Sequence, residues 1–253
     1  MSNENGMLKS FFRDFRDRAE SFVYLDRIQE MIEYEKQSII LDYNHLTDFN
    51  HNFAFYLLQN PDEVLNTLKD DFISFLRELN DEYFYEKRNF DLQLINLPVT
   101  HKIQLRNMKK GIFPLKIVEF DGLIIKIKKP VMALIDGFYQ CNRCLDVTIV
   151  KEELDGKLIQ PKKCEFCDCK EFTLLEGDST FIQKQELEIK EPITDIIGEM
   201  PTLTLTLRND LSKMNLHKGD LISIIGLPYL HQLKKNSNDF ETRLKVINVI
   251  KKD

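Results

Sequence analysis

The sequence predicts a mixed α+β protein in which an N-terminal helical bundle is followed by a small closed β-barrel with a metal-bound insertion. Three observations support this fold class. Apolar residues recur at three-to-four spacing in the first part of the chain, the pattern then changes to alternation with many β-branched residues, and two Cys-x-x-Cys pairs interrupt the alternating part. At 253 residues, the chain is long enough for two compact units.

The N-terminal part predicts amphipathic helices. Between Phe11 and Ile32, large apolar residues fall on one helical face and charged residues on the other, which predicts a single helix. The segment Ile39 to Tyr43 is expected to be extended. Phe53 to Leu58 predicts a second helix, which must end before Pro61 because the residue preceding a proline avoids the helical conformation.

A further helix is predicted to begin at Pro61, since proline suits the first helical position. Asn60 is expected to cap this helix, and Glu63 is expected to reach back and complete a capping box. The apolar residues of the helix follow at three-to-four spacing and are expected to face the bundle core; they are Val64, Leu65, Leu68, Phe72, Phe75, Leu76 and Leu79.

Alternating segments after Asn96 predict strands. The clearest is Thr202 to Arg208, in which three leucines share one face and three threonines the other. Gly122 lies where the alternation slips and is expected to form a bulge that helps a barrel to close. With no long helix between them, these strands predict a small barrel. The candidate strands are Ile117 to Ile127, Leu134 to Gln140, Phe181 to Lys190, Thr202 to Arg208, Leu221 to Ile225 and Thr242 to Ile250.

The most specific motif is a pair of Cys-x-x-Cys knuckles, Cys141 with Cys144 and Cys164 with Cys167, separated by nineteen residues. Four thiolates at this spacing complete a tetrahedral shell around Zn²⁺ and leave no position for a catalytic water, so a structural zinc ribbon is predicted. Two disulfides or free thiols are the alternative, although disulfides are uncommon in the cytosol. Cys169 lies close enough in sequence to replace Cys167 as a ligand.

The net charge of −6 hides an asymmetry between the two parts of the chain. Residues 1–96 hold 10 Lys and Arg against 19 Asp and Glu, whereas residues 97–253 hold 25 against 22. A polyanion such as DNA is therefore expected to bind the second part. Within it, Leu97 to Pro130 has eight basic residues and two acidic ones.

Seven basic residues are candidates for contact with a DNA backbone. Three lie near the end of the first predicted strand, on and beyond one of its faces, where a row of ammonium groups suits phosphates. The other four lie on a predicted hairpin, Tyr229 to Val246, whose tip holds the turn formers Asn236 to Asp239. The alternative is that all are ordinary solvated side chains, as charge runs usually are. The candidates are Lys126, Lys128, Lys129, Lys234, Lys235, Arg243 and Lys245.

Several classes of protein are disfavoured. No apolar run approaches the roughly 20 residues of a membrane span, and the N-terminus lacks the features of a signal peptide, so a cytoplasmic location is expected. The only Gly-Lys pair, Gly156-Lys157, is followed by Leu158 rather than by Ser or Thr, so no phosphate-binding loop of the P-loop type is present and the chain is not expected to hydrolyse ATP.

The order of these parts resembles the N-terminal region of archaeal minichromosome maintenance (MCM) replicative DNA helicases. The resemblance covers nearly the whole chain and depends on the order of its fragments, since none is diagnostic alone. One fragment is the double Cys-x-x-Cys motif. The others, in chain order, are Ile39 to Phe49 with Asn60-Pro61, Val118 to Ile124 leading to Phe138 to Cys141, Phe181 to Pro192, Gly198 to Pro201, Asn209 to Leu211 and Gly219-Asp220.

The resemblance implies a fold and a set of domains. Residues 1–95 would be the helical bundle (subdomain A), residues 96–140 with 172–253 an OB-fold barrel, and residues 141–171 the zinc-ribbon insertion. The barrels would form a homohexameric collar around single- or double-stranded DNA, and the ribbons would contribute to contacts within a ring or a double ring. The chain would be nucleoid-associated.

The resemblance also implies functional segments. The hairpin with Lys234 and Lys235 would point into the channel, and the loop Glu191 to Thr202 would communicate with the AAA+ ATPase ring. The motor would begin about where this chain stops, so an excised fragment or a motorless relative is expected.

The chain departs from the family pattern in its basic residues. Val131-Met-Ala133 stands where the family often has an Arg-Pro-Arg-like run, and Thr202 stands where an arginine is common. Lys126, Lys128 and Lys129 would then substitute as the barrel's DNA contact. Two alternatives remain open: a stand-alone OB-fold and zinc-ribbon protein that binds single strands as a monomer through exposed aromatics, and a scaffold that only organises the ring.

Overall fold

The computed structural model describes residues 7–109, 116–152, 158–192, 200–233 and 238–252. The chain divides into two compact units, residues 1–129 with 185–253 and residues 130–184. The described helices are α1 Met7–Asp14, α2 Val23–Glu33, α3 Tyr43–Phe49, α4 His51–Gln59, α5 Pro61–Leu79, α6 Asp81–Lys87, α7 Leu105–Lys109 and α8 Asn209–Ser212, with a 3-10 turn at Val99–His101. The described strands are β1 Ser38–Asp42, β2 Asp91–Ile95, β3 Val118–Ile127, β4 Val131–Cys141, β5 Val147–Lys151, β6 Phe172–Leu174, β7 Thr180–Lys190, β8 Thr202–Arg208, β9 Leu221–Gln232 and β10 Phe240–Lys251.

The single helix predicted from Phe11 to Ile32 is wrong, because α1 ends at Asp14 and α2 begins only at Val23. The side chain of Asp17 accepts hydrogen bonds from the backbone N–H groups of Ala19 and Ser21, at 2.8 and 3.1 Å. A short polar side chain that captures nearby backbone donors competes with helix formation. The apolar periodicity therefore continues across a loop.

The helix predicted at Pro61 is confirmed as α5, with the proline in its first turn, but the predicted capping box is wrong. The side chain of Asn60 makes no capping hydrogen bond, and the carboxylate of Glu63 instead accepts the hydroxyl of Tyr56 at 3.1 Å. The predicted apolar face is buried except for Leu79, which is 44% exposed. The helix predicted from Phe53 to Leu58 is α4, which is slightly longer than expected.

The helices pack around fully buried aromatic rings. Phe11 contacts Tyr24 at a centroid distance of 4.4 Å, and Phe12 contacts Phe72 at 5.5 Å. Two short parallel strands, β1 and β2, close this bundle. Its apolar core continues into the barrel, where Ile117, Ile225, Leu227 and Ile247 join the same cluster. Burial of this shared apolar surface holds the bundle and the barrel in one compact unit.

The barrel strands of this unit are antiparallel. β9 lies between β10 and β3, the C-terminal part of β7 pairs with β3, and β8 pairs with β7. The predicted alternation in Thr202 to Arg208 is confirmed, since Leu203, Leu205 and Leu207 are buried. The predicted fold class, helices followed by a curled antiparallel OB-type sheet, is therefore confirmed.

The predicted bulge at Gly122 is wrong. Gly122 pairs regularly with Ile222, and the register of β3 against β7 shifts between Ile124 and Lys126. A Cβ atom at residue 122 would lie 2.7 Å from Cδ1 of Ile189, which is closer than packed atoms allow. Glycine fits here because Cδ1 of Ile189 lies where a Cβ atom would be, so a larger residue would force this buried side chain to shift.

The second unit, residues 130–184, is built on β4. This strand pairs with β5 and β6 and with residues 180–184 of β7, all antiparallel. The sequence analysis did not predict β5 or β6. Their pairing with β4 brings Cys141, the last residue of β4, opposite Phe172.

None of the described helices combines the length and the apolar character needed to cross a membrane.

Candidate metal centre and nucleic-acid interface

The four predicted ligand cysteines come together. The sulfur atoms of Cys141, Cys144, Cys164 and Cys167 all lie within 4.8 Å of one another. The Cys141–Cys167 and Cys144–Cys164 sulfur pairs are each 3.5 Å apart, well beyond the roughly 2.05 Å of a disulfide bond. Four thiols in this arrangement can hold a metal ion.

Both knuckles use the same local backbone turn. The residue after the second cysteine of each pair donates its N–H to the carbonyl oxygen of the first: Leu145 to Cys141 at 3.0 Å, and Asp168 to Cys164 at 3.1 Å. Leu145 and Asp168 have φ angles of 64° and 56°, in the left-handed region that non-glycine residues rarely adopt. Each turn points two thiols to the same side, which explains why the Cys-x-x-Cys spacing recurs.

The environment of Cys141 favours a thiolate. Backbone N–H groups of Cys144 and, to a smaller extent, Arg143 lower the pKa of the Cys141 thiol to about 6, although burial opposes this. Cys141 and Cys164 are buried. Thiolates are soft ligands that suit Zn²⁺, so this set of donors fits a structural metal without an open position.

Cys169 lies outside the cluster of four sulfurs. Its thiol points to the carbonyl oxygen of Glu171 at 3.8 Å. Its own carbonyl oxygen accepts the N–H of Cys164 at 2.7 Å, so the backbone of Cys169 positions the second knuckle.

The predicted basic residues at the end of β3 lie on the surface. Lys126, Lys128 and Lys129 are exposed. Lys128 forms an ion pair with Glu186, whereas Lys126 and Lys129 have no ion pair among the residues that the structure describes. Two ammonium groups at this end of the strand are therefore available for an anion.

The predicted hairpin exists, formed by β9 and β10, and its strands are longer than expected. Arg243 pairs with Glu241 at 2.6 Å, and Lys245 pairs with Asp62 of the helical bundle at 3.0 Å. Lys234 and Lys235 lie outside the described residues. The two basic residues on the returning strand thus already have carboxylate partners within the chain.

A buried ion pair that the sequence did not indicate joins α7 to the end of β7. Nε of Arg106, in α7, donates to both carboxylate oxygens of Glu191 at 3.0 and 3.1 Å, and the Glu191 side chain is only 2% exposed. Glu191 follows β7 and begins the loop that the family resemblance connects with the motor. Because the partners are 85 residues apart, no local pattern could have indicated the pair.

The second unit exposes an unusual number of apolar side chains. Val131 and Met132, at the start of β4, are 60% and 65% exposed. Neighbouring exposed apolar residues, such as Val131 with Met132 and Val147 with Ile149, can contact other molecules. The unit's large exposed apolar residues are Val131, Met132, Leu145, Val147, Ile149, Ile159, Phe166 and Phe181.

The sequence matches two consecutive domain families. Residues 7–96 match the MCM N-terminal domain, and residues 104–232 match the MCM OB domain. The second match alone covers half of the chain.

Three similar proteins illustrate the relationship. The chain is 22% identical over 251 residues to the minichromosome maintenance protein MCM of Saccharolobus solfataricus, an alignment that covers 94% of this chain and 36% of that protein. It is 22% identical over 233 residues to the DNA replication licensing factor mcm5 of Dictyostelium discoideum. That alignment covers 87% of this chain and 30% of the relative. An uncharacterized MCM-type protein of Methanocaldococcus jannaschii is 27% identical over 182 residues. That alignment covers 67% of this chain and 25% of the relative. The chain therefore spans about a quarter to a third of the length of these relatives.

Proposed function

This chain belongs to the MCM family, with an MCM N-terminal domain followed by an MCM OB domain, and from this premise we propose that it forms the DNA-engaging and oligomerising collar of a replicative MCM helicase. In this role the described part of the chain does no chemistry itself. It binds DNA and organises a ring for the AAA+ ATPase domain of the full-length protein.

The exposed lysines of β3 carry the DNA-binding part of the proposal. Lys126 and Lys129 are exposed and form no ion pair among the described residues, although Glu188 lies opposite Lys126 on β7. Lys128, Arg243 and Lys245 would exchange their present carboxylate partners for phosphates, and Lys234 and Lys235 would add two charges at the hairpin tip. Six copies around a channel sum their fields, so an acidic monomer can form a ring that attracts single- or double-stranded DNA.

The cysteine cluster supports a structural Zn²⁺ site with Cys141, Cys144, Cys164 and Cys167 as ligands. A bound zinc would supply folding free energy to the ribbon, in which β5 and β6 are short, because four thiolates must come together to bind it. Its complete sulfur shell leaves no position for a reacting water. We therefore assign the metal to the architecture of the ribbon, residues 141–171.

Self-association into a homohexamer, or into a double hexamer, is supported by the apolar surface of the second unit. Val147 and Ile149 project from β5, which pairs only with β4 among the described strands. An apolar strand at a sheet edge favours contact with another chain. In the cell we place the collar on cytoplasmic, nucleoid-associated DNA, with the helical bundle, residues 1–95, outside the barrel.

The DNA-binding role is tested by measuring affinity for a fluorescent oligonucleotide across a salt series. In the Lys126→Ala/Lys129→Ala double variant, we expect weaker binding to any sequence and a salt slope smaller by about 2, since each lost phosphate contact removes about 0.9 for duplex DNA. Lys36→Ala, which removes an exposed lysine from the helical bundle, is the matched control and should bind like the unmodified chain. Equal affinities and slopes for all three proteins would reject the role.

Light scattering with and without DNA tests the oligomerising role. A collar is expected to increase in mass when DNA is added, whereas a particle that stays monomeric under both conditions would contradict it.

A further inference from the structure

Helix α4 has an unusual outer face. Its inner face packs Ala54, Leu57 and Leu58 into the bundle core. Phe55 and Tyr56 project in the opposite direction and are 57% and 44% exposed. We define the α4 outer face as the exposed residues His51, Asn52, Phe55, Tyr56 and Gln59.

This face has no charged side chain. The outer face of an amphipathic surface helix normally carries charges, and 35 Lys and Arg are distributed over the 253 residues of this chain. Residues 37–68, however, contain no Lys or Arg at all and four acidic residues. Single exposed aromatics are ordinary, but two adjacent ones on an uncharged helix face form an apolar patch of the kind that contacts another molecule.

The border of the face is acidic. Glu63, in the first turn of α5, accepts the hydroxyl of Tyr56 at 3.1 Å. The neighbouring carboxylate of Asp62 binds the ammonium group of Lys245 at 3.0 Å. Lys245 therefore already forms an ion pair beside the face. This contact indicates that the border attracts positively charged side chains.

We propose that the α4 outer face is a docking surface for a protein segment that presents apolar side chains flanked by lysine or arginine. Phe55 and Tyr56 supply the apolar contact area, since aromatic side chains bury much surface at low entropic cost. Glu63 attracts the basic flank. Residues 37–68 contribute four acidic and no basic side chains, and the neighbouring Lys245 is paired with Asp62, so this surface favours a protein with basic flanks over nucleic acid.

The test uses the whole chain and two synthetic amphipathic peptides, each with leucines on one helical face. One peptide has lysines at both ends and the other has glutamates in the same positions. Binding is measured by fluorescence anisotropy, and the contact is located by chemical-shift changes in the isotope-labelled chain. We expect the lysine peptide to bind more tightly and to shift the signals of Phe55 and Tyr56.

Two variants and one control separate docking from effects on folding. Phe55→Ala should weaken binding of the lysine peptide by about tenfold or more, because an aromatic anchor carries much of the binding energy. Glu63→Gln should weaken it by up to about fivefold, the size of one exposed ion pair, and should leave the glutamate peptide unaffected or slightly favoured. Phe240→Ala removes an equally exposed phenylalanine, 55% against 57%, from the barrel and should not change the affinity.

Four results would overturn the proposal. They are equal binding of both peptides, shifts located away from α4, oligonucleotide-induced shifts at Phe55, and self-association of the free chain that Phe55→Ala abolishes. The last would assign the face to a second copy of the chain.

Discussion

The side-chain amide of Asn209 donates to the carboxylate of Asp91 across 2.5 Å, joining residues 118 positions apart. Asn209 begins α8 in the barrel, and Asp91 begins β2 in the helical bundle. The next residue after Asn209, Asp210, uses its carboxylate to accept the backbone N–H of Gln37 at 2.7 Å and the hydroxyl of Ser38 at 2.6 Å. These polar contacts fix the bundle on the barrel, whereas the shared apolar core supplies attraction without direction.

Asn209→Ala should lower the free energy of unfolding by about 1–3 kcal/mol. The substitution leaves a carboxylate oxygen of Asp91 without this donor and places a residue with a Cβ but no polar side chain at a φ of 46°, where asparagine is tolerated better than alanine. Urea unfolding followed by circular dichroism measures the change. Asn66→Ala, on the exposed side of α5, is the control and should alter stability by no more than about 0.5 kcal/mol. Similar values for both variants would deny the contact a structural role.

Arg106→Met should destabilise the fold by about 2–3 kcal/mol. It removes the partner of a carboxylate that is 2% exposed, and the estimate is below that for a fully buried pair because Arg106 is 33% exposed. Lys102→Met breaks the more exposed pair with Glu119, 3.5 Å apart, and should cost at most about 1 kcal/mol.

The second substitution of a double-mutant cycle should recover stability. Adding Glu191→Leu to Arg106→Met removes the unpaired charge, so the double variant should be more stable than Arg106→Met alone. If the double variant is instead less stable, the carboxylate of Glu191 does not depend on Arg106.

Cys141→Ser and Cys167→Ser should each release the metal, whereas Cys169→Ser should retain it. The reason is geometric, because only the first two thiols belong to the cluster of four. Metal content of the purified variants, measured by atomic emission, checks the assignment, and about one zinc per chain is expected in the unmodified protein. Loss of metal from Cys169→Ser would move the fourth ligand to that residue.

Asp71→Asn should stabilise the bundle at neutral pH by about 1 kcal/mol, since Oδ2 of this buried aspartate has no hydrogen-bond partner among the described residues. Burial raises the pKa of Asp71 above its ordinary value. The folded state therefore binds its proton more tightly than the unfolded state, and this group destabilises the fold increasingly as the pH rises through the raised pKa.

The pH dependence distinguishes this cause from a general effect of the substitution. The stability difference between Asp71→Asn and the unmodified chain should be largest near pH 7 and should level off at its smallest value below about pH 3, where Asp71 is protonated in both states. Asp70→Asn, at the exposed neighbouring position, should show no such profile. A constant difference at all pH values would contradict the titration of Asp71.

The local parts of the fold could be predicted because their signals lie within a few residues. The alternation of leucine and threonine predicted β8, and the proline at residue 61 predicted the start of α5. The Cys-x-x-Cys spacing predicted the sulfur cluster because each knuckle closes its own turn, from Cys141 to Leu145 and from Cys164 to Asp168. The apolar periodicity did not predict the loop between Asp14 and Val23, where the Asp17 carboxylate accepts hydrogen bonds from the backbone of Ala19 and Ser21.

The sequence by itself determined that helices precede strands, that the cysteines form two knuckles and to which family the chain is similar, because each is encoded in spacing along the chain. Only the tertiary structure decided which charges are free. It paired Lys245 with Asp62 and Arg106 with Glu191, left Lys126 and Lys129 exposed, and placed Cδ1 of Ile189 where a Cβ atom at residue 122 would lie. The physical reason is that Coulomb attraction and close packing act between neighbours in space, and the positions that become neighbours are far apart in the chain.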